Sequence, residues 1–570
     1  MKNSIDALRE IMAEYAVNAY IVPNNDEFQN EYLPDSAKRL EFVTGFTGSA
    51  GTAIIAHKKA AFFTDGRYTI QAAAQVDSAI FEIYNLAEKT PQQWLKENEL
   101  KASYDPWHMS VAVARRFNGI GIYTNLVDEI WKNRPAAPLA PIKVHDIKYA
   151  GKKHTDKIAE IASGMAADIA LITAPDCVSW LFNIRGGDIE YSPLALSYAA
   201  ICKNGKAELF IDRRKLTPES ESHLTGINIR PLEEVIEITA KSVQLDADLC
   251  PNAIFEKLQE KGIEITEKQD PCLLPKACKN DAELDAIRKA HDIDGVALTK
   301  FLQWLPNQNG LDEISAAAKL EEFRKENPEY IEPSFATISG FGSNGAIVHY
   351  HASAKTNKKF EQGLYLVDSG GQYCSGEACG TTDVTRTIAI GTPTAEMKHD
   401  YTLVLKGHIA LAMAVFPAGT SGAQLDVLAR KFLWQEGKDY AHGTGHGVGA
   451  YLSVHEGPCG VSKRYDTVLQ AGMILSNEPG YYKEGEYGIR IENLVVVVEK
   501  ESESVGEPAM SPRSGVPNEV QKNRRGTIKY LGFETLTKAP FDENLIEWEI
   551  LTDEEKGWIK DYHEQISRNI

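Results

Sequence analysis

LVDSGGQY (366–373), GTTDVTRT (380–387), AHGTGHGVGAYLSVHEGP (441–458), SNEPGYY (476–482) and GIRIENLVV (488–496) follow one another in this order. Asp368 ends the apolar run 364–367 and enters Ser-Gly-Gly, so its carboxylate stands at the end of a buried strand rather than on a solvated surface. Asp383 lies on a stretch where Asp383, Thr385 and Thr387 share one strand face, which sets it across a hairpin from Asp368. Glu478 precedes Pro479 and is therefore biased to an extended backbone. Glu492 sits in an otherwise apolar strand with Arg490 on the same face; an ion pair between them would explain Glu492 and leave three acids unexplained. His442 and His446 are four apart, but the glycines around them cost a helix roughly 1 kcal/mol each, so a Gly-rich loop is expected, with His455 just beyond it. Taken singly, each acid is more often a turn cap and each histidine a satisfied core or surface residue. Together they point to one metal site. Four carboxylates around an imidazole repel unless concentrated positive charge lies among them, and two divalent cations would balance them. Oxygen-rich donors with no thiolate suit Mn²⁺ or a similar ion, and a metal pair about 3.5–4 Å apart can carry a hydroxide and polarise a carbonyl. The chemistry expected is hydrolysis.

The rest of the chain supports an ordinary folded protein around that site. Its 570 residues are too many for one core, and 43% hydrophobic content is that of a globular protein. A net charge of −19 repels nucleic acid and anionic membranes. No apolar run approaches the roughly 18 residues that span a bilayer, and the start is amphipathic and acidic rather than signal-like, so a cytoplasmic protein is expected. Eight scattered cysteines form neither a disulfide framework nor a repeated CxxC and are read as reduced thiols, Cys272/Cys278 and Cys374/Cys379 being the only close pairs.

Two early segments follow one plan. A helix, the strand AYIVP and the hairpin in GTAIIAHKKAAFFTD (51–65) are echoed by KIAEIASGMA (157–166), ADIALITAP and the hairpin in SYAAICKNGKAELFID (197–212). This reads as an α/β domain over 1–145 and a divergent copy over 146–278, separated near the Pro-rich NRPAAPLAPIK (133–143). The third domain, 279–570, opens with a helix capped by Asn280 and Glu283 and ended by Pro306, then alternates strands (ATISG, AIVHY, GLYLVD, TRTIAIG, NLVVVVE) with helical patterns. A curved, mainly antiparallel sheet is expected, with a polar excursion over 502–525, a C-terminal extension from about 525 and a terminal amphipathic helix.

The ordered motifs DSGGQY, TTDVTRT, HGTGHGVG, VHEGP, EPGYY and IRIEN resemble the catalytic domain of the pita-bread metallopeptidases, the creatinase and methionine aminopeptidase-like family. VTGFTGSAGT (43–52), FTDGRY (63–68) and LGFETLT (531–537) extend the resemblance over nearly the whole chain, toward the three-domain Xaa-Pro aminopeptidases. The resemblance implies creatinase-type N-terminal domains and a pita-bread catalytic domain. It implies that Asp368, Asp383, His446, Glu478 and Glu492 ligate two divalent metals, Mn²⁺ first and Zn²⁺ or Co²⁺ otherwise, with Asp383 and Glu492 bridging. His349 in IVHYHAS, His442 and His455 would bind the substrate and the tetrahedral intermediate; Glu478 would manage the proton of the attacking hydroxide and Arg490 would orient a carboxylate. The implied activity removes the N-terminal residue from peptides with proline second, in a cytoplasmic homodimer; prolidase action on Xaa-Pro dipeptides and a non-catalytic binding module are the alternatives.

One segment departs from the family pattern. QYCSGEACGTT (372–382) is about four residues longer than expected and carries two cysteines; short surface insertions are cheap, so it should bulge at a hairpin tip without disturbing the ligands. A Cys374→Ser/Cys379→Ser variant is expected to keep full activity before and after mild oxidant, and oxidant-dependent activity in the parent alone would assign the pair a role in tuning the site.

Overall fold

The computed structural model describes residues 2–500 and 529–569, and the expected excursion over 502–525 lies outside the described residues. The chain divides into two compact units, Met1–Lys276 with Ile347–His349, and Ala277–Ala346 with Tyr350–Ile570.

In the first unit the internal repeat appears as two six-stranded sheets of identical topology. One runs Glu82–Asn85, Ala60–Thr64, Thr52–Ala56, Ala19–Pro23, Ala102–Tyr104, Ile120–Gly121. The other runs Asn228–Arg230, Ala207–Phe210, Tyr198–Cys202, Ile169–Ile172, Ser242–Leu245, Glu264–Glu267. In both, the three strands read from the repeat pair antiparallel at the centre and parallel strands flank them. The central strands are mostly apolar and mostly buried, as a sheet covered on both faces by helices demands. No helix or strand lies between Ile130 and Lys143, where the prolines cluster. The two halves are joined by the Tyr198 hydroxyl donating to the Glu27 carbonyl at 2.6 Å and by the forked Arg115–Glu267 pair.

The second unit opens with the helix Asp281–Trp304, its Asn280 and Glu283 forming the reciprocal N-terminal cap expected. All strand pairings recorded in this unit are antiparallel. Gly363–Ser369 pairs with Ile338–Phe341 and Val384–Ile390, and Asn493–Lys500 pairs with Ile474–Asn477 and Tyr530–Thr535. The helices Ala395–Ala412 and Gly422–Trp434 pack along the sheet, and Asp553–Asn569 closes the chain. Two local expectations fail. AIVHY is not a strand: Gly342–Ala346 forms a 3₁₀ turn and residues 347–350 are irregular, because three glycines nearby weaken any extended ladder. The eight cysteines are not all free thiols, since Cys374 and Cys379 face each other in the ladder between Gly371–Ser375 and Ala378–Thr381 and are bonded as a disulfide. The two-residue turn Gly376–Glu377 sets Ser375 opposite Ala378 and Cys374 opposite Cys379, so the register itself brings the two thiols together.

A buried ionic cluster in the first unit makes a pH prediction. His108 is desolvated, which opposes its charged form, but Asp105 at 2.9 Å and Glu27 at 3.7 Å outweigh that and raise its pKa to about 9. A pKa raised above the unfolded value contributes stability that is fully present below about 6.5 and is lost as pH rises through about 9. His108→Gln should therefore lower the melting temperature at pH 6 and flatten its decline between pH 6.5 and 9, as read by scanning fluorimetry; a parallel downward shift at every pH would refute the linkage.

Candidate metal centre

Each acidic residue is delivered by a different backbone segment. Asp368 lies near the end of the wholly buried strand Gly363–Ser369, opposite Thr385 in the antiparallel register. Asp383 precedes the strand Val384–Ile390, so it is diagonal to Asp368 rather than paired with it. Glu478 follows the strand Ile474–Asn477, and its N–H donates to the Thr444 carbonyl at 2.8 Å. Glu492 sits between two strands, with its N–H donating to the Thr385 carbonyl at 3.1 Å. His446 comes from the short strand Gly445–Gly447 of the glycine-rich loop. Gly445 permits this approach: a Cβ there would lie 1.9 Å from the Ser476 carbonyl oxygen.

These segments converge. Donor atoms of Asp383, His446 and Glu492 all lie within 4.8 Å of one another. His446 Nε2 is 3.4 Å from Asp383 Oδ2 and 3.6 Å from Glu478 Oε1. Its Nδ1 lies 3.0 Å from the Gly447 carbonyl, which can only accept, so Nδ1 carries the proton and Nε2 presents a lone pair to the carboxylates. Arg490 donates to Asp368 Oδ2 at 2.7 Å and to Thr385 Oγ1 at 3.1 Å, while Thr385 Oγ1 donates to Glu492 Oε2 at 2.7 Å. Arg490 thus pairs with Asp368 and not with Glu492; the ion pair considered from sequence is corrected, because the strand ends at Arg490 and the chain turns before Glu492.

The histidines separate by position. His455 packs edge-on against His446 with ring centroids 4.3 Å apart. His442 Nδ1 donates to the Gly443 carbonyl at 2.7 Å, and its Nε2 accepts from the Tyr482 hydroxyl at 2.8 Å, which in turn accepts from Arg490 at 2.7 Å. His349 falls in the short segment grouped with the first unit, where it meets the Tyr68 hydroxyl at 2.6 Å. Tyr482 was not singled out from sequence; its hydroxyl links His442 to Arg490 through tertiary contacts that no periodicity announces.

The donor set fits divalent cations. Asp383 is only 4% exposed and Glu492 2%. Burial first, then the charges of Asp368 and Glu478, push Asp383 well above the carboxylate range. Burial and then Asp383 do the same to Glu492. Arg490 offsets one negative charge among four. The buried oxygens Asp368 Oδ1 and Asp383 Oδ1 have no hydrogen-bond partner, as expected of atoms meant for a metal. Such a cluster stays ionised only around concentrated positive charge.

Buried carboxylates with one imidazole, set on a curved antiparallel sheet, define a metallohydrolase. Residues 285–499 match metallopeptidase family M24 and 529–570 its C-terminal region, while 5–128 and 133–283 each match a creatinase/prolidase N-terminal domain. A probable Xaa-Pro aminopeptidase P of Talaromyces marneffei is 40% identical over 600 residues, covering 98% of this chain and 88% of its own. One from Sordaria macrospora is 40% identical over 609 residues, covering 99% and 95%. The crystal structure of X-prolyl aminopeptidase from Caenorhabditis elegans, described as a cytosolic enzyme with a di-nuclear active site, superposes with a TM-score of 0.90 at 32% identity over 100% of this chain and 95% of that one. A Bacillus anthracis Xaa-Pro dipeptidase, 24% identical with a TM-score of 0.52 over 68% of this chain and 98% of its own, shares the fold. The chain belongs to metallopeptidase family M24, with paired creatinase-type N-terminal domains.

Asp383→Asn removes a charged oxygen from the centre of the donor set while conserving its shape. The variant should keep the parent's circular dichroism spectrum and lose both turnover and bound metal by elemental analysis; retained turnover would falsify the two-metal assignment.

Proposed function

We propose that the protein is a two-metal Xaa-Pro aminopeptidase that removes the N-terminal residue from peptides with proline in second position. The observation that carries this reading is the buried convergence of Asp383, His446 and Glu492 with Asp368 and Glu478, in a chain whose aminopeptidase P relatives match it from end to end. Asp368, Asp383, His446, Glu478 and Glu492 would hold the metals, the set that the family resemblance implies. Oxygen-rich ligation favours Mn²⁺ over Zn²⁺ or Co²⁺. Bound there, a metal pair supplies a nucleophile at neutral pH and Lewis-acid polarisation of the scissile carbonyl.

The chain's own groups do the rest. The substrate's free α-amine would be anchored at the metal–carboxylate cluster. Glu478 is the more open of the acids, 17% exposed at its side chain against 5% for Asp383, and one of its oxygens lies 3.7 Å from His442 Nδ1. It is therefore the carboxylate that takes the proton of the attacking water and returns it to the departing proline nitrogen. His442, held between Gly443 and Tyr482, His455 against His446, and His349 are assigned to binding the substrate and the tetrahedral intermediate by the family resemblance. Arg490 holds Asp368 in its orientation. No helix among the described residues is long and apolar enough to cross a membrane. A cytosolic setting rests on the description of the Caenorhabditis elegans enzyme, and a homodimer on the resemblance alone.

Purified protein should release the first residue of an Xaa-Pro-Xaa tripeptide with Mn²⁺ and lose that activity on chelation. Turnover of the Xaa-Pro dipeptide but not the tripeptide would make the enzyme a prolidase instead.

A further inference from the structure

The glycine-rich loop that carries His442 and His446 has little intrinsic preference for one shape, so something outside it must select one. Its backbone is gripped from the helix Gly422–Trp434. Asp426 and Arg430, 2% and 4% exposed, form a one-turn ion pair, with Arg430 Nε 3.0 and 2.9 Å from the two oxygens of Asp426. The rest of the guanidinium turns to the loop. Nη1 donates to the Tyr440 carbonyl at 2.8 Å and to Asp439 at 2.7 Å, and Nη2 donates to the His442 carbonyl at 2.7 Å. The guanidinium carbon sits 3.9 Å from the centre of the Tyr440 ring. Asp426 completes the grip by accepting from the Thr444 hydroxyl at 2.5 Å, and the Tyr440 hydroxyl meets that same oxygen at 2.5 Å.

The grip reaches the donor set at two points. It holds the backbone of His442 directly. Through Thr444, whose carbonyl accepts the Glu478 N–H at 2.8 Å, it also holds the backbone of one proposed metal ligand, and Gly445 and His446, a second, follow immediately in the chain. A buried ion pair kept only for stability would satisfy itself within its helix, whereas here the guanidinium spends its forked face on two loop carbonyls.

We infer that the Asp426–Arg430 pair is a positioning device for the metal centre, fixing the loop 440–444 so that His442, His446 and Glu478 meet at the donor cluster. The inference rests on the two-metal reading. Neither residue touches substrate or metal; both act through the backbone.

The test is Mn²⁺ titration by calorimetry of the full chain after chelator stripping, alongside kcat and KM for a tripeptide. Arg430→Met should weaken Mn²⁺ binding and lower kcat, each about 10–100-fold, the range typical of residues that orient ligands. Arg430→Lys keeps the charge beside Asp426 but cannot fork to two carbonyls, so it should restore melting temperature further than it restores Mn²⁺ affinity. Thr444→Val removes only one hydroxyl, with its contacts to Asp426 and Tyr440, and should move affinity and kcat in the same direction by about fivefold. Arg430→Met and Thr444→Val that melt lower but bind Mn²⁺ and turn over within about twofold of the parent would overturn the inference. If Arg430→Met does not fold, Thr444→Val decides alone. A parent that takes up no Mn²⁺ would overturn the two-metal reading itself, and the inference with it.

Discussion

Repulsion among Asp368, Asp383, Glu478 and Glu492 is the constraint around which the second unit is built. Four carboxylates brought out of water into one corner oppose folding, and the raised pKa values of Asp383 and Glu492 register how strongly burial and their neighbours resist the charged state. One arginine meets one of them. The remaining excess is unfavourable in the apo fold and is the term that bound divalent cations would relieve.

Such a cluster survives only if the backbone refuses to let it spread, and Asp368, His446, Glu478 and Glu492 are each tied down by a partner from another segment. Glu492 is held through its N–H to the strand of Thr385 and through its carboxylate to the Thr385 hydroxyl. Glu478 is held through Thr444, and His446 through its own N–H to Ser476 at 2.9 Å. Beneath these, the fully buried Arg386 donates to the carbonyls of Glu492, Ala539 and Pro540 and to Asn493 Oδ1, joining the segment of Glu492 to the C-terminal region through neutral acceptors. That arrangement keeps positive charge close to the acids without neutralising any of them.

Much of this was legible in the sequence, for a reason specific to metal sites. Charged residues at strand ends and glycines around histidines contradict the ordinary rules of burial and helix propensity, and the places where Asp368, Glu492 and the loop 442–446 broke those rules are the places where donors meet. The repeat was legible too, because Lys-rich turns between apolar runs mark hairpins directly, and both hairpins formed. What escaped were contacts made across long separations. Arg490 was read against Glu492, two residues away on a presumed face, when its partner lies 122 residues earlier on a strand that only the folded sheet brings near. Asp426 and Arg430 have an evident helical spacing, yet nothing in that spacing says that the outer face of the guanidinium turns to a loop. Tyr482 is one aromatic among many until the fold places it between His442 and Arg490.

The hairpin between Asp368 and Asp383 shows how a lengthened connection can be compatible with such a tightly tied site. Its root is committed. Gln372 Nε2 donates to the Leu452 carbonyl at 2.9 Å, and the Thr381 hydroxyl exchanges hydrogen bonds with the same residue, so the root anchors the loop leading to His455. Tyr373 and Thr382 both donate to the buried Asp294, which Arg324 neutralises. Gly370 is needed there, since a Cβ would lie 1.9 Å from the Thr382 carbonyl oxygen. At the tip Ser375, Gly376 and Glu377 are exposed, and Cys374 and Cys379 close the ladder between tip and root. Added length at the tip therefore leaves the register of the root, and with it the separation of Asp368 from Asp383, unchanged. Gln372, Thr381 and Thr382 therefore bear on the placement of Asp368 and Asp383 in a way that the exposed tip residues do not.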